Sequence, residues 1–308
     1  MNNEILFKGY DENFISGQTI PLPILNKEQK DDLVLDKNNN SIINYINYSL
    51  QLSAIHKFPF YTATNIDGLN FKKVPRRDNW RKDARIRKDL QWGLELYRAP
   101  KSNFDRGHMT KREDVQWGAS IGLALNAADS TFYYTNSVPQ HKDLNRAIWR
   151  SLEDYILHTE TNANELKVSV FTGPVLSRQN PYFVTAINDE QIQIPSLFWK
   201  VVVFQKEDGN LYRVAFIMSQ NKLLLNDGII EELERDDLLF MQFDDSATYQ
   251  VNVSLVEEIT GLEFPVAMDS YSDDRSIKLV LNEVDIDPDL ESLSIENELG
   301  FVIEHIYL

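Results

Sequence analysis

Residues Phe104–Asp114 read FDRGHMTKRED, and the glycine–histidine pair inside this stretch decides how the chain is interpreted. Gly107 stands directly before His108, with an aspartate and an arginine ahead of the pair and mixed charges after it. The chain has five histidines in all. In a charged loop such a pair is usually structural, so residues elsewhere must decide whether the imidazole is placed for chemistry.

Length and composition indicate a globular protein. The 308 residues are enough for one large domain or two smaller ones, each with a buried core. Because the chain has no cysteine, disulfide scaffolds, thiol nucleophiles and cysteine zinc sites are excluded. No apolar run approaches the roughly 20 residues that span a bilayer, and the N-terminus lacks the pattern of a secretory signal. We therefore expect a cytoplasmic protein with no membrane partner.

The charge is distributed unevenly along the chain. A net charge of -16 argues, by itself, against a nucleic-acid-binding protein. The segment Lys72–Asp89, KKVPRRDNWRKDARIRKD, nevertheless carries nine lysines and arginines against three aspartates, and we call it the basic segment. Residues Tyr271–Leu308 are strongly acidic. The basic segment is predicted to be a surface loop that attracts phosphate, with a merely solvated face as the alternative.

Hydrophobic patterning predicts one α+β domain at residues 45–268, between an N-terminal extension (1–44) and an acidic C-terminal extension (269–308). Three β-rich apolar runs carry this prediction: LKVSVFTGPVL, SLFWKVVVF and LYRVAFIMS. A strand and a short helix capped by Gly261 are expected to follow them.

Shorter elements are predicted around the glycine–histidine pair. Asp67 and Gly68 are typical of a hairpin turn inside TATNIDGLNFKKV. The aromatic run at 132–134 predicts a strand over Thr131–Thr135, which the proline and polar residues of Asn136–Asp143 would end. A short helix is expected between this strand and FDRGHM.

The run LNRAIWRSLEDYILHT predicts an amphipathic helix that begins near Asn145. Asn145, Trp149 and Glu153 follow one another at intervals of four residues, so they drift by only about 40° per step and share one stripe of the helix. A carboxamide and a carboxylate on that stripe, facing a loop histidine, could hold one hard cation through oxygen ligands. An imidazole near a hydrated divalent cation can activate water at neutral pH.

These motifs together resemble a known family. DRGH (105–108), TNSVPQ (135–140) and LNRAIWRSLEDY (144–155) are similar to the non-specific DNA/RNA endonucleases, which include endonuclease G. The resemblance continues through VFTGPV, IPSLFWKVV, VAFIMSQ and VEEITGLEF and covers roughly residues 55–265. It implies a ββα-metal (His-Me finger) fold with a central antiparallel sheet flanked by helices.

The resemblance also implies a role for each matching residue. His108 matches the general base, and Gly107 is expected to leave room beside it for a scissile phosphate. Asn145 matches the direct protein ligand of a single Mg2+, for which Mn2+ is the alternative, and Glu153 matches the carboxylate that orients a water on that metal. Arg106 matches an arginine near the scissile phosphate.

Two further assignments follow from the resemblance. Asn136 matches an asparagine that supports the active site. The family has an arginine upstream, in a charged stretch before a tryptophan. Arg77, ahead of Trp80, is the best match, but the spacing differs by about one residue and Arg76 remains the alternative. Arg81 belongs to the same predicted substrate-binding stretch.

The remaining histidines carry no companion motif. His56, His141, His158 and His305 are expected to be ordinary surface or packing residues, although His141 follows the TNSVPQ motif directly.

The resemblance implies a metal-dependent endonuclease that hydrolyses phosphodiester bonds of DNA and RNA with little sequence specificity. One alternative is a catalytically inactive nuclease-like module that binds or regulates, and another is hydrolysis of a different phosphodiester. A cytoplasmic nuclease endangers its own cell, so we expect a bacterial effector or toxin, as in antiviral defence, with an inhibitor or activating protein, or else export by a route that the sequence does not reveal. The family implies a homodimer, and the acidic extension is a candidate shield for the basic segment.

Overall fold

Three long apolar runs form adjacent antiparallel strands in the second half of the chain, as predicted. A computed structural model describes residues 7–144, 166–231, 243–245, 247–285 and 299–304. In it, β7 (Lys167–Pro174), β8 (Leu197–Gln205) and β9 (Leu211–Ser219) pair in sequence. Their side chains alternate between two apolar clusters, one on each face of the sheet. The runs are apolar throughout because both faces are buried.

These strands are the centre of a nine-stranded sheet. Its remaining strands are β2 (Ile43–Asn44), β3 (Tyr48–Leu52), β4 (Pro59–Asp67), β10 (Thr248–Val251), β12 (Met268–Asp269) and β13 (Ile277–Lys278). The order is β13-β10-β9-β8-β7-β4-β3-β2, with β12 added parallel to β9. The hairpin predicted at Asp67–Gly68 is wrong, because β4 ends at Asp67 and pairs with β3 and β7 instead of with the residues after the turn.

Five short helices lie between or beside the strands in the described part of the chain. They are α1 (Lys27–Asp31), α2 (Leu94–Tyr97), α3 (Ile121–Ser130), α4 (Asn221–Asn226) and α5 (Val253–Thr260). Single turns of 3-10 helix occur at Lys88–Leu90, Glu113–Val115 and Tyr134–Asn136. The helices predicted at α3 and α5 are confirmed. In the described range no helix is long and apolar enough to cross a membrane.

The residues before 45, predicted to be an extension, contribute to the main core. Phe14, Ile15 and Ile20 are buried in the same cluster as the β8 and β9 side chains. The strand β1 (Ile24–Leu25) pairs with β11 (Leu262–Glu263), which follows α5. The N-terminal stretch is therefore packed against the residues of the predicted domain.

A separate two-stranded sheet carries the glycine–histidine pair. β5 (Phe104–His108) pairs antiparallel with β6 (Ser137–His141). The strand predicted at Thr131–Thr135 is wrong, since Tyr134–Asn136 form a helical turn and the strand begins at Ser137. Pro139 is tolerated in β6 because that strand has one partner only, so the missing N–H faces the unpaired edge.

After β6 the backbone turns helical at residues 142–144, which completes the start of a strand–strand–helix unit. The helix predicted from Asn145 onward lies outside the described residues. At the other end of the chain, β13 adds the beginning of the acidic extension to β10, and β14 (Val280–Asp285) pairs with β15 (Leu299–Glu304).

Gly261 ends α5 in the left-handed region, at φ 69°, and its N–H donates to the carbonyl of Glu257. We expect Gly261→Ala to lower the free energy of unfolding by about 2 kcal/mol. About half would come from the positive φ, and the rest from contact with Asn26, the N-cap of α1, because a new Cβ would lie 2.5 Å from its Nδ2. Urea denaturation measures the change.

Gly228→Ala is the matched control, because Gly228 also has a positive φ but no atom within 4 Å of a new Cβ. It should cost only the conformational part, about 1 kcal/mol. Equal losses for the two variants would show that the Asn26 contact does not join α5 to the N-terminal stretch.

Candidate active site

The pairing of β5 with β6 fixes the positions of two predicted catalytic residues. His108 lies opposite Ser137, and Arg106 lies opposite Pro139. Since side chains alternate along a strand, Arg106 and His108 point to the same face of the ribbon. His108 is therefore the last residue of a strand, on the same face as Arg106, and not in a loop as the sequence indicated.

Gly107 makes room for a side chain of the partner strand. A Cβ at this position would lie 2.1 Å from Oε1 of Gln140, which is fully buried. The space at Gly107 is thus filled by Gln140, and the expectation that it is reserved for a phosphate beside His108 is wrong. Neither amide atom of Gln140 has a hydrogen-bond partner in the described part of the protein. A buried, unsatisfied carboxamide is costly unless something binds it.

Aromatic rings enclose the imidazole of His108. The Trp80 ring centroid lies 4.7 Å from it at an interplanar angle of 52°, and Phe132 meets it edge-on at 5.1 Å. His108 is half-buried as a residue, but its Nε2 is inaccessible to solvent and has no hydrogen-bond partner among the described residues. The ring is consequently held by aromatic packing on the sides that the structure describes.

Burial and nearby cations keep His108 neutral. Burial lowers the pKa of His108 to about 3, helped by the charge of Arg76 and, to a smaller extent, those of Arg112 and Arg106, while Glu113 opposes the shift. A neutral imidazole can accept a proton, which is what a general base requires. The negative charge of a bound phosphate would move the pKa back toward neutral pH.

Four consecutive charged residues, Lys111–Asp114, are buried directly after this strand. Burial alone would raise the pKa of Glu113, but Arg112, Lys111 and Arg76 lower it to about 2. Arg112 forms an ion pair with Glu113 and also donates through Nη1 to the carbonyl of Val74 at 3.2 Å. The cluster therefore ties the start of the basic segment to the His108 strand.

The basic segment has no helix or strand through residue 87, as predicted for a surface loop. Arg76 and Arg77 are exposed and pair with aspartates, Arg76 closely with Asp78 at 2.8 Å and Arg77 more distantly with Asp129 at 3.8 Å. Arg81 is more restrained. It stacks 4.0 Å above the Tyr133 ring and donates to two backbone carbonyls. Arg76 is thus an accessible cation whose charge acts on His108, and Arg77 is a second accessible cation of the segment.

Asn136 joins three backbone groups through its carboxamide. Its Oδ1 accepts from the N–H of Thr110 at 2.9 Å, and its Nδ2 donates to the carbonyls of Thr110 and Thr131 at 2.9 and 3.1 Å. The side chain is fully buried. These bonds hold the residues after His108 against the residues before β6.

The predicted metal ligands Asn145 and Glu153 lie outside the described residues. Among the residues that are described, no three His, Asp or Glu side chains lie where they could hold a metal ion together. Two buried polar groups of the β5–β6 ribbon, the Gln140 carboxamide and the His108 Nε2, have no hydrogen-bond partner in the described part of the protein. Groups of this kind could be satisfied by the waters of a hydrated hard cation that has few direct protein ligands.

The other histidines are not grouped with His108. His141 is buried, its N–H donates to Gln220, and its Nε2 lies 3.0 Å from Asp227 Oδ2. His56 is partly buried, and burial lowers its pKa. His158 and His305 lie outside the described residues. The sequence did not indicate a role for Gln140, whose one signal was its position at the end of TNSVPQ.

A family model for DNA/RNA non-specific endonucleases matches residues 33–270. The chain belongs to this family.

Individual relatives share between a quarter and a third of their residues with this chain over the matched part. An uncharacterized protein, y4fB, of Sinorhizobium fredii is 31% identical over 283 residues, which are 86% of this chain and 40% of that protein. The nuclease of Serratia marcescens is 26% identical over 59% of this chain and 65% of its own length. Mitochondrial endonuclease G of Bos taurus is 30% identical over 38% of each chain. The chain therefore spans less than two thirds of each of these relatives.

A solved structure confirms the predicted fold of this endonuclease-family chain. The crystal structure of the EndoG/EndoGI complex, which concerns the mechanism of EndoG inhibition, matches with a TM-score of 0.53 and 21% identity. The match covers 73% of this chain and 85% of the other. The α+β, ββα-metal architecture expected from the motifs is thus the architecture of the chain.

The state of His108 can be tested without an activity assay. We expect its imidazole to stay neutral in NMR titrations from about pH 8 to about pH 5, because burial depresses its pKa far below the usual value of about 6.5. The unfolded chain binds the proton first, so this histidine stabilises the fold above about pH 6.5, and that contribution falls as the pH drops toward 3. His108→Asn supplies the assignment, and a midpoint near 6.5 would contradict the prediction.

We expect Asn136 to contribute to the stability of the fold, because its carboxamide bonds only to backbone groups in the described part of the chain. Asn136→Ala leaves three buried backbone groups without partners, so we expect the free energy of unfolding to fall by about 3 kcal/mol. Asn136→Asp keeps the acceptor for the Thr110 N–H but loses both donated hydrogen bonds. Its free energy of unfolding should be equal to that of Asn136→Ala or lower. Wild-type stability in both variants, measured by urea denaturation, would mean that these bonds are not formed.

Proposed function

We propose that the protein is a metal-dependent endonuclease that hydrolyses phosphodiester bonds of DNA and RNA with little sequence preference. The observation that carries this proposal is the placement of a neutral His108, with an unpartnered Nε2, on the same strand face as Arg106. Membership of the endonuclease family supports the reaction class.

In this proposal His108 is the general base. It removes a proton from a water molecule, whose oxygen then attacks phosphorus in line with the departing 3′-oxygen. The bond from phosphorus to the 3′-oxygen breaks, and the leaving oxygen is protonated by solvent. Arg106, two residues away on the same face, binds a non-bridging oxygen of the same phosphate.

Asn145 would hold a divalent cation, Mg2+ or alternatively Mn2+, and Glu153 would orient the water next to it. The cation supplies charge stabilisation for the negative phosphate oxygens when it is bound. Gln140 lies next to Gly107 with both amide atoms unsatisfied, and we assign it to hold a water of this site by hydrogen bonds. Asn136 supports the site by fixing the backbone around it.

Arg76 is a better candidate than Arg77 for the upstream phosphate-binding arginine. Its charge acts on His108 and on Glu113, and its guanidinium lies 5.8 Å from the Phe132 ring, which itself contacts His108. Arg77 is directed toward Asp129. Arg77 and Arg81 would then contact neighbouring phosphates. Contacts of this kind go to the backbone and give little sequence preference.

The biological setting is also a proposal. We propose a bacterial, cytoplasmic effector or toxin, acting in antiviral defence as a homodimer and controlled by an inhibitor or activating protein. The structure of EndoG with EndoGI supports an inhibitor partner by analogy of fold. The accessible arginines of the basic segment form a surface that an acidic inhibitor could cover.

Cleavage of plasmid DNA and of RNA with Mg2+ tests the reaction. We expect the wild-type protein to cleave both, EDTA to abolish cleavage, and His108→Ala to lower kcat by about 10²- to 10⁴-fold, the range for loss of a general base. Asn145→Ala should raise the metal concentration needed for half-maximal activity. His56→Ala is the control, since among the described residues the backbone of His56 bonds to Ser53 and Trp92 and not to His108 or Arg106.

A folded wild-type protein that binds oligonucleotides but cleaves none would support the inactive, binding or regulatory module instead. Unchanged cleavage by His108→Ala would refute the role of the base. A panel that includes small phosphodiesters separates nucleic-acid hydrolysis from the third alternative.

A further inference from the structure

Trp80 lies across the face of β5 that presents both Arg106 and His108. The guanidinium carbon of Arg106 is 5.3 Å from its ring centroid, and the His108 ring centroid is 4.7 Å away. One indole therefore contacts the predicted phosphate-binding cation and the predicted base. Trp80 belongs to the basic segment, whose predicted role in binding phosphate depends on its lysines and arginines.

The indole is fixed from several sides. The next residue, Arg81, donates its N–H to the carbonyl of Phe132 at 3.0 Å and accepts from the N–H of Tyr134 at 3.0 Å. The Phe132 ring packs edge-on against Trp80 at 5.3 Å, and the Tyr134 ring lies 5.6 Å away. Although Trp80 comes from a loop, it is joined by backbone hydrogen bonds to the segment that leads into β6.

We propose that Trp80 is a positioning residue of this active site, whose indole sets the placement of the Arg106 guanidinium relative to the His108 imidazole. The inference rests on the proposed function, because the placement of Arg106 relative to His108 matters for activity only if both act on a phosphate. Trp80 does not touch the reacting atoms in this proposal. It acts through the two side chains that do.

The geometry explains why an aromatic ring is suited to this role. A guanidinium stacked on a ring uses its face, so its N–H groups remain free in the plane to bind two phosphate oxygens. The imidazole Nε2 has no hydrogen-bond partner in the described part of the chain, so the slot between Trp80 and Phe132 limits the rotation of the ring. An aliphatic side chain has no flat ring, so it could not offer one face to both the Arg106 guanidinium and the His108 imidazole.

The first experiment measures binding without catalysis. The affinity of the full chain for a fluorescent single-stranded oligonucleotide is measured by anisotropy in EDTA at fixed salt. We expect Trp80→Leu and Arg106→Ala each to weaken binding by about tenfold, which corresponds to loss of one partly desolvated cation contact. The double variant should be little worse than either single one, because both changes remove the same positioned cation.

The second experiment measures turnover with Mg2+. Trp80→Leu should lower kcat by about 100-fold, the size expected when reacting groups are misplaced by about 1 Å. Trp80→Phe should recover most of this loss, because a phenyl ring can still stack on Arg106 and His108. Trp117→Leu is the matched control, because Trp117 is also half-buried but packs on Phe14 and donates to the carbonyl of Asn65.

Several results would overturn the inference. They are additive binding losses in the Trp80–Arg106 cycle, wild-type kcat in Trp80→Leu, or an equal kcat loss in Trp117→Leu. If Trp80→Leu does not fold, Trp80→Phe decides alone: a kcat within severalfold of the wild type supports the role of an aromatic ring, and a loss near 100-fold contradicts it. A wild-type protein that never cleaves would refute the proposed function, whereas the binding cycle in EDTA would still decide whether Trp80 positions Arg106.

Discussion

The antiparallel pairing of β5 with β6 is the constraint on which the rest of the site depends. It sets Arg106 and His108 on one face and leads the chain into the helical turn after His141. An isolated two-stranded ribbon is only marginally stable, so other contacts must hold it. Gln220 does so at one end, accepting from the His141 N–H at 2.7 Å and donating to the carbonyl of Pro139 at 3.1 Å, while Asn136 does so at the other.

Elements governed by local pattern were predictable from the sequence. Strands β7, β8 and β9 are continuous apolar runs, and Gly261 is a left-handed cap, so each carries its own signal. The ribbon was not predictable in the same way. The aromatic residues before it have high strand propensity but form no strand, and Tyr134 begins a helical turn, whereas β6 contains a proline. Its conformation is decided by pairing with β5, a tertiary contact that overrides propensity.

The residues of the candidate site also differ in how far the sequence predicts them. The family motifs identify His108 and Arg106, and the structure places them together on one strand face. Gly107 was understood only in part, because the side chain that needs its space belongs to Gln140, on the other strand. Trp80 served in the sequence only to locate the upstream arginine, and nothing in its pattern indicated that it contacts Arg106 and His108. Distances between strands and loops are what a sequence does not contain.

The overall charge of the chain has little bearing on the electrostatics of this site. At physiological salt, exposed charges are screened beyond about 8 Å, so the acidic extension acts on His108 only where it comes close. Burial is the main cause of the low pKa of His108, and Arg76 is the nearby charge that contributes most to it. Because burial and the nearby cations favour the neutral imidazole, the proposed base can accept a proton before substrate binds. In the proposed mechanism a bound phosphate would raise the pKa of His108, so its proton affinity would increase when a proton must be taken from water.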